Sequence, residues 1–374
     1  MTGHIQKRGK KSWRVKYELP RDETGERRIA YKTVQGKRAD AERELRAILY
    51  RQDKGIAVDP SKLTVANYLD DWLENVAPQK VAPKALERYR GLVKYQVKPH
   101  LGEIRLQKLR PADVAAWHQN LLAAGNLSTR SIHHAHGVLR TALSHAAKVE
   151  IVARNVAVII RPPAPKGKKP RILTADETAD TLSKLEGHSL YPMIALALGT
   201  GARRGEIAAL RWSDIDLDGA TVCIERALEQ TKEGLRVKEP KTEAGYRTLS
   251  LPTFAVEALR DHRRQQLELR MALGVGAMPT EAPVFGDIDG NWPIPSVISG
   301  HWRRAVTNRK LPNVTFHALR HTHASALIDA GQNVVAVSRR LGHASPALTL
   351  NVYAHLFKNN DKDAAEAIEA AFAK

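Results

Sequence analysis

Residues 161–171 read Arg-Pro-Pro-Ala-Pro-Lys-Gly-Lys-Lys-Pro-Arg, and no regular element can run through them. Proline has no backbone N–H and its ring clashes with the preceding turn, so four prolines in this stretch forbid a helix. The 374-residue chain is therefore divided, and each side must find its own core. The linker's five cations suit a track along a phosphate backbone as well as a solvated hinge.

N-terminal to that linker the hydrophobic period changes once. Trp13, Val15, Tyr17 and Leu19 alternate with polar residues between Ser12 and Leu19, the period of a half-buried strand. Pro20–Gly25 reads as a turn, and Arg28–Val34 resumes a strand. Lys37–Tyr50 takes helical spacing, with Ala41, Leu45, Ile48 and Leu49 on one face. Residues 1–57 thus form a small module with a thin core. After a linker, Gly55–Lys62, the chain reads as helical from Leu63 to Asn155. Val65, Tyr68, Leu69, Trp72 and Leu73 make one stripe, and Ala85–Tyr95 is a helix stopped near Pro99–Gly102. Pro111–Ala124 opens on a first-turn proline, and Ser128 caps Ser128–Val149. His133, His134 and His136 on that last helix read as surface or DNA-facing, since no acidic or thiol partner suggests a metal.

C-terminal to the linker the pattern is mixed. Thr174 and Glu177 fit a capping box, and Tyr191–Gly199 is a buried apolar helix. Ala220–Ala227 and Arg247–Leu251 read as strands around a polar loop. Phe254–Met271, Ile294–Thr307, Thr315–Ala330 and Val334–Leu341 read as helices.

The net charge of +19 is unevenly spread. Residues 1–60 hold 16 basic and 9 acidic side chains, residues 61–165 hold 15 and 7, and residues 166–374 hold 28 and 24. An excess concentrated in the first 165 residues suits a polyanion, most often nucleic acid, or a merely basic protein. Cys223 is the sole cysteine, which leaves no intrachain disulfide or Cys-based zinc site and fits a reducing cytoplasm. No stretch approaches the roughly 18–20 apolar residues of a membrane span, and the basic N-terminus lacks the apolar region of a secretory signal.

The chemistry-bearing residues all lie after the linker. In Gly199-Thr-Gly-Ala-Arg-Arg-Gly-Glu206, Arg203 stands in the first turn of a new helix, three residues before Glu206. A guanidinium there can present its fork to a phosphate with the carboxylate orienting it, or form a plain surface pair. Lys241, in Glu239-Pro-Lys-Thr-Glu-Ala-Gly-Tyr-Arg-Thr-Leu249, sits in a polar hairpin. It can reach a leaving oxygen and donate a proton, or be a solvated loop lysine. In Phe316-His-Ala-Leu-Arg-His-Thr-His-Ala324, His317 and Arg320 are neighbours on one helical face. His317, His321 and His323 read against a metal, because His323 points away and no carboxylate or thiolate joins them. In Leu341-Gly-His-Ala-Ser-Pro-Ala-Leu-Thr-Leu-Asn-Val-Tyr-Ala-His355, His343 follows a helix-ending glycine and Tyr353 falls ten residues later. Alone, Tyr353 reads as a packed aromatic.

Together these segments resemble the catalytic signature of tyrosine recombinases: T-G-x-R-x-x-E, a Lys in P-K-T, H-x-L-R-H, L-G-H and Y-x-H, in that order. Gly245 stands where the family commonly has Ser. Residues 62–155 are similar to the SAM-like core-binding domain of integrases, with Asn155-Val in place of the usual Asn-Pro. Residues 1–57 resemble the arm-binding domain of phage and conjugative-element integrases, with three strands and a helix.

The resemblance implies an α+β, multidomain chain. Its parts are a three-stranded β plus helix arm module (1–57), an all-α SAM-like core-binding bundle (62–155), a basic linker (156–171) and a mainly α catalytic domain with a small antiparallel sheet (172–374). It also implies a site-specific DNA recombinase acting through a 3′-phosphotyrosyl intermediate. Tyr353 would attack, Arg203 and Arg320 would clamp the non-bridging oxygens, and His317 would hydrogen-bond the phosphate and act as acid/base. Lys241 would protonate the leaving 5′ oxygen, His343 would add a phosphate hydrogen bond, and Glu206 would hold Arg203. These cations stand in for metal, so no metal or other cofactor is expected. The expected partners are double-stranded attachment sites, three further copies in a tetramer on DNA, and accessory DNA-bending and directionality proteins. The expected place is the cytoplasm, with the nucleoid and away from membranes. A type IB topoisomerase-like enzyme and a chromosome-dimer-resolving recombinase share the chemistry; the N-terminal module favours integration and excision of a mobile element.

Overall fold

A computed structural model describes residues 3–19, 28–53, 62–165, 171–240, 242–354 and 361–373. The turn expected at Pro20–Gly25, most of the Gly55–Lys62 linker and the middle of the proline-rich linker lie outside the described residues. The chain separates into two compact units, Met1–Gly167 and Lys168–Lys374.

The first unit begins with strands β1 (Gly3–Gly9), β2 (Ser12–Leu19) and β3 (Arg28–Gln35), antiparallel in that order, followed by helix α1 (Arg38–Asp53). The alternation along β2 sends Val15 and Tyr17 inward, where they meet Ala30, Ala41 and Ile48 in a small core of their own. On the other face Arg14 lies over the Tyr31 ring, 4.1 Å from its centroid. β1 was not legible from pattern because its side chains are almost all exposed, leaving no hydrophobic period to read.

The rest of this unit is helical: α2 (Val65–Asp71), α3 (Pro83–Leu92), α4 (Lys98–Leu101), α5 (Pro111–Ala123) and α6 (Thr129–Lys148). The expected stripe is buried, with Trp72, Trp117, Ile132 and Leu139 among the side chains of a second core. The helix stops at Leu101, within the expected Pro99–Gly102, and reaches it through a widened turn at Val93–Val97. A similar turn at Trp72–Val76 also precedes a proline, Pro78. Widening lets the chain pass a residue that cannot donate to the carbonyl four back. Ser128 caps α6 through Ser131 N–H as expected. Asn155 pins the end of the unit, donating to Arg140 O and Ser144 Oγ, both at 2.8 Å.

One histidine on α6 departs from expectation. His136 is buried, not at the surface, and its Nδ1 lies 3.1 Å from Nε2 of buried His118 on α5. Its position falls on the apolar face with Ile132 and Leu139, so helical geometry turns it inward.

The second unit contains α7 (Ala175–Leu185), α8 (Tyr191–Thr200), α9 (Arg204–Ala208), β4 (Ile215–Asp216), β5 (Thr221–Ile224), β6 (Ala227–Thr231), β7 (Gly234–Lys238) and β8 (Arg247–Ser250). They are followed by α10 (Thr253–Ala272), α11 (Pro295–Asn308), α12 (Phe316–Asp329), α13 (Val334–Leu341), α14 (Pro346–Tyr353) and α15 (Asp361–Phe372). β4, β5 and β8 form one antiparallel sheet, and β6 and β7 a separate two-stranded ribbon. The segment read as a polar loop therefore holds a hairpin. The start of α7 is secured by the Thr174–Glu177 capping box, which satisfies the backbone N–H groups of both residues. α8 is buried nearly all round and forms the centre of the core with Ile207, Leu249, Trp302 and Leu319. The architecture is mainly helical with small antiparallel sheets. Among the described residues no helix is long and apolar enough to cross a membrane.

Candidate active site

Two glycines set the site's floor. Gly201 ends α8 with φ +65°, and Gly342 ends α13 with φ +66°, the left-handed conformation that glycine adopts without strain. A Cβ on Gly201 would lie 2.6 Å from the His323 ring, and one on Gly342 2.7 Å from Arg247 Nη1, so neither position has room for a side chain. Each glycine offers its carbonyl to an arginine. Arg320 Nη1 donates to Gly201 O at 2.8 Å, and Arg203 Nη2 donates to Gly342 O at 3.2 Å. Arg320 Nη2 also donates to Leu341 O at 2.7 Å. A buried guanidinium on α12 thus ties the end of α8 to the end of α13, across more than a hundred residues of chain.

Arg203 is not in the first turn of α9. It is the N-cap, with extended backbone, and only Arg204 onward is helical. That places the backbone N–H of Arg203 2.8 Å from Glu206 Oε2 and Nη1 2.7 Å from Oε1, so one carboxylate holds both ends of the residue. Glu206 is itself buried, and Oε2 accepts a 2.7 Å bond from Arg247 Nη2. Burial alone pushes its carboxyl up, but Arg247 and Arg203 outweigh this and leave it below the usual carboxylate range. Arg247 further donates to Arg340 O at 2.9 Å and Gly245 O at 3.0 Å. Sequence patterning missed Arg247, because in a short strand its spacing is that of any basic residue.

The histidines of α12 divide by face. His323 is buried beneath the site: its Nδ1 lies 2.7 Å from Leu198 O, and its Nε2 accepts from Arg340 Nε at 3.1 Å. His317 and His321 lie on the other side, edge to face with ring centroids 4.9 Å apart. His317 is exposed to solvent yet crowded enough that desolvation, then Arg320, Arg203 and Arg204, lowers its pKa. His343 Nδ1 lies 2.8 Å from Thr349 Oγ1, and burial with the cations Arg320, Arg203 and Arg247 pushes its pKa down to about 4. Arg320 is lowered to about 10, first by burial and then by Arg203.

Tyr353 closes α14 and is buried against Ala324, Ile328, Val337 and Leu341. Burial pushes its hydroxyl up to about 12, with Arg320 opposing. Its Oη lies 2.6 Å from Nδ1 of His321, a residue whose motif was legible but whose role was not. Lys241 and His355 lie outside the described residues. The flanks of Lys241 show that the segment joins the β6–β7 ribbon to β8, within the longer β5–β8 connection. Gly245, where the family commonly has Ser, packs so that a Cβ would lie 2.3 Å from Pro240 Cβ. Arg203, Glu206, His317, Arg320, His343 and Tyr353 are thus brought together from α9, α12, α14 and the α13–α14 turn. Among the described residues no group of three or more His, Cys, Asp or Glu side chains could hold a metal ion.

The fold and this cluster of two arginines, histidines and a tyrosine are those of a class that handles phosphodiesters by covalent chemistry. Residues 169–360 match the family model described as phage integrase family, and residues 64–122 match the phage integrase N-terminal SAM-like domain. A "tyrosine recombinase XerC-like" protein of Caldanaerobacter subterraneus subsp. tengcongensis is 26% identical, over 98% of both chains. An "integrase" of Streptomyces ambofaciens is 30% identical, over 91% of this chain and 88% of its own. The solved structure of the Tn1549 transposon integrase, in complex with a circular intermediate DNA, shares the fold with a TM-score of 0.68. That match has 20% identity and covers 83% of this chain and 99% of that one. The chain belongs to the phage integrase family, the tyrosine recombinases, which cleave and rejoin DNA in site-specific recombination.

Proposed function

We propose that the chain integrates and excises a mobile element by transferring DNA strands through a 3′-phosphotyrosyl bond at Tyr353. The observation that carries this reading is the double carbonyl clamp of Arg320, which gathers the ends of α8 and α13 and with them Arg203 and His343. Charge grows on the non-bridging oxygens as a phosphodiester is attacked, and pre-set guanidiniums stabilise it without reorganising. Arg203 is the more accessible of the two and Arg320 the more fixed, so Arg203 meets one oxygen from the rim and Arg320 another from below. His317 and His343 hydrogen-bond the same phosphate. Glu206 keeps Arg203 in place, and Lys241 protonates the departing 5′ oxygen. The partner is double-stranded DNA, gripped by the basic N-terminal 165 residues.

The nucleophile is held back in the free protein: Tyr353 is buried and keeps its proton. DNA therefore has to reach the hydroxyl and help it lose that proton before it can attack. One tyrosine cuts one strand, so exchange between two duplexes takes four protomers. Exposed Ile368 and Phe372 on α15 are consistent with such self-assembly. Accessory DNA-bending and directionality proteins would set the direction of the reaction. Residues 1–57 act as the arm-binding part, 62–155 as the core-binding part, 156–171 as the linker and 172–374 as the catalytic part.

Incubating the full chain with a pool of nicked suicide duplexes tests the reading. Wild type is expected to form a covalent protein–DNA adduct and Tyr353→Phe none. An adduct with the phenylalanine variant would overturn Tyr353 as nucleophile. Joining of two defined sites, against relaxation of any supercoiled plasmid, separates recombination from topoisomerase action.

A further inference from the structure

A nucleophilic tyrosine needs somewhere to put its proton, and among the described residues one acceptor is in contact with it. His321 Nδ1 lies 2.6 Å from Tyr353 Oη, with ring centroids 5.6 Å apart and planes inclined at 57°. His317, to which the family resemblance assigns acid/base work, touches the ring of His321, and no hydrogen bond joins it to Tyr353. His323 is turned beneath the site, and His343 is engaged with Thr349. The groups around His321 are His317 and Arg320 on its own helix, Tyr353 on α14 and His343 in the α13–α14 turn.

We infer that His321 is a catalytic residue, the base that receives the Tyr353 proton during strand cleavage and returns it during rejoining. The inference rests on Tyr353 being the nucleophile. In cleavage the Oη–P bond forms and the P–O5′ bond breaks, while the phenolic proton passes to His321 Nδ1. The departing 5′ oxygen takes its proton from a separate acid, assigned above to Lys241. In rejoining, the attacking 5′-hydroxyl returns its proton to that amine. The Oη–P bond breaks, and Oη recovers its proton from Nδ1.

The surroundings make the transfer conditional on DNA. Burial, then His317 and Arg320, push the His321 pKa to about 4, so the ring is neutral at neutral pH, and in its Nε2–H tautomer Nδ1 accepts from Tyr353 Oη. The proton stays on Tyr353 while the site is empty. A phosphodiester anion entering between Arg203, Arg320, His317 and His343 offsets the cationic field and raises the basicity of His321. The base is thereby strengthened by the substrate it serves.

The test measures single-turnover adduct formation by the full chain on the nicked-duplex pool from pH 6 to pH 10. Two versions of the pool carry an ordinary 5′ oxygen or a bridging 5′ sulfur, which leaves without an acid. His321→Ala and His321→Asn are expected to slow adduct formation by about 100-fold or more on both pools. Their rates are expected to climb with pH toward ionisation of the tyrosine while the wild-type rate levels off. The asparagine variant keeps a hydrogen-bonding partner for Oη, so it separates proton transfer from positioning and guards against a folding defect in the alanine variant. His321→Asn cleaving within about threefold of wild type would overturn the inference, as would rescue of His321→Ala by the sulfur leaving group. An adduct that persists in Tyr353→Phe, or fails to form with wild type, instead removes the nucleophile assignment beneath it.

Discussion

Arg247 Nη2 lies 2.7 Å from Glu206 Oε2, and both side chains are 7% exposed. This ion pair supports Arg203, the arginine proposed above to meet the phosphate from the rim. Glu206 gives its other oxygen to the Arg203 guanidinium, and Oε2 also accepts from the Arg203 backbone N–H, so the position of Arg203 depends on Arg247 through this carboxylate.

Removing Arg247 should therefore cost stability and activity together. Arg247→Ala leaves a buried carboxylate with one partner and frees the Arg340 and Gly245 carbonyls, and breaking a buried pair costs about 3–5 kcal/mol. In wild type the Glu206 pKa is lowered, so the pair's contribution is present above the ordinary carboxylate pKa and is lost as pH falls below it. In the variant the upward push of burial is less opposed, so the protonated acid becomes the tolerated form. The stability gap between the two proteins should widen from pH 4 to pH 7 in denaturant unfolding, and a gap independent of pH would count against this account.

The two arginines proposed to clamp the phosphate should respond differently to the same change. Arg320→Lys loses a planar fork that serves two buried carbonyls at once, and a single ammonium cannot replace it. A loss of about 2–4 kcal/mol of stability is expected, along with adduct formation. Arg203 has a side chain 44% exposed, so Arg203→Lys should leave the melting temperature near wild type and still reduce adduct formation by about 100-fold. Equal melting losses in the two variants would contradict the division between floor and rim.

Legibility in the sequence followed where the physics is local. Helix periods, the Ser128 and Thr174 caps and the alternation of β2 are set by neighbouring residues, and the elements they mark are present. The motif residues could be found because their order along the chain is itself informative. What stayed hidden depends on contacts between distant segments. Arg247 reads as an ordinary strand residue until Glu206 is brought against it, and His321 reads as a stray histidine until α14 delivers Tyr353. The β6–β7 ribbon was hidden because its outer strand is mostly exposed and so lacks an alternating pattern. Arg203 stands one position before the helix and not in its first turn, because its extended backbone is set by the Glu206 cap.

Truncation should separate the proposed arm-binding part from the chemistry. Val15, Tyr17, Ala30, Ala41 and Ile48 form a core distinct from that of the helices beginning at Val65. Deleting residues 1–57 should leave the second core intact and the suicide-substrate adduct within about threefold of wild type. Integration into a plasmid carrying the attachment site should fall below detection. Unimpaired integration by the truncated chain would remove the arm assignment.

The His118–His136 pair should make the helical part of the first unit labile to acid. Both imidazoles are buried with a 3.1 Å contact, and burial lowers both pKa values, that of His136 to about 4 with His118 and Arg140 adding to the effect. In the unfolded chain both titrate near about 6.5. Groups kept neutral in the fold contribute stability that is full above that pH and is lost as pH falls toward the folded pKa. His136 adds a slope of up to about 1.4 kcal/mol per pH unit between roughly pH 6 and pH 4, and His118 adds to it in the same direction. Amide hydrogen exchange across residues 65–158 should therefore accelerate on moving from pH 7 to pH 5 by more than the intrinsic chemistry of exchange accounts for. The double variant His118→Phe/His136→Leu keeps the site apolar and removes both titrations, so its acid slope should be flatter by up to twice that amount. A variant with the same acid slope as wild type would mean that the pair is not the group that titrates.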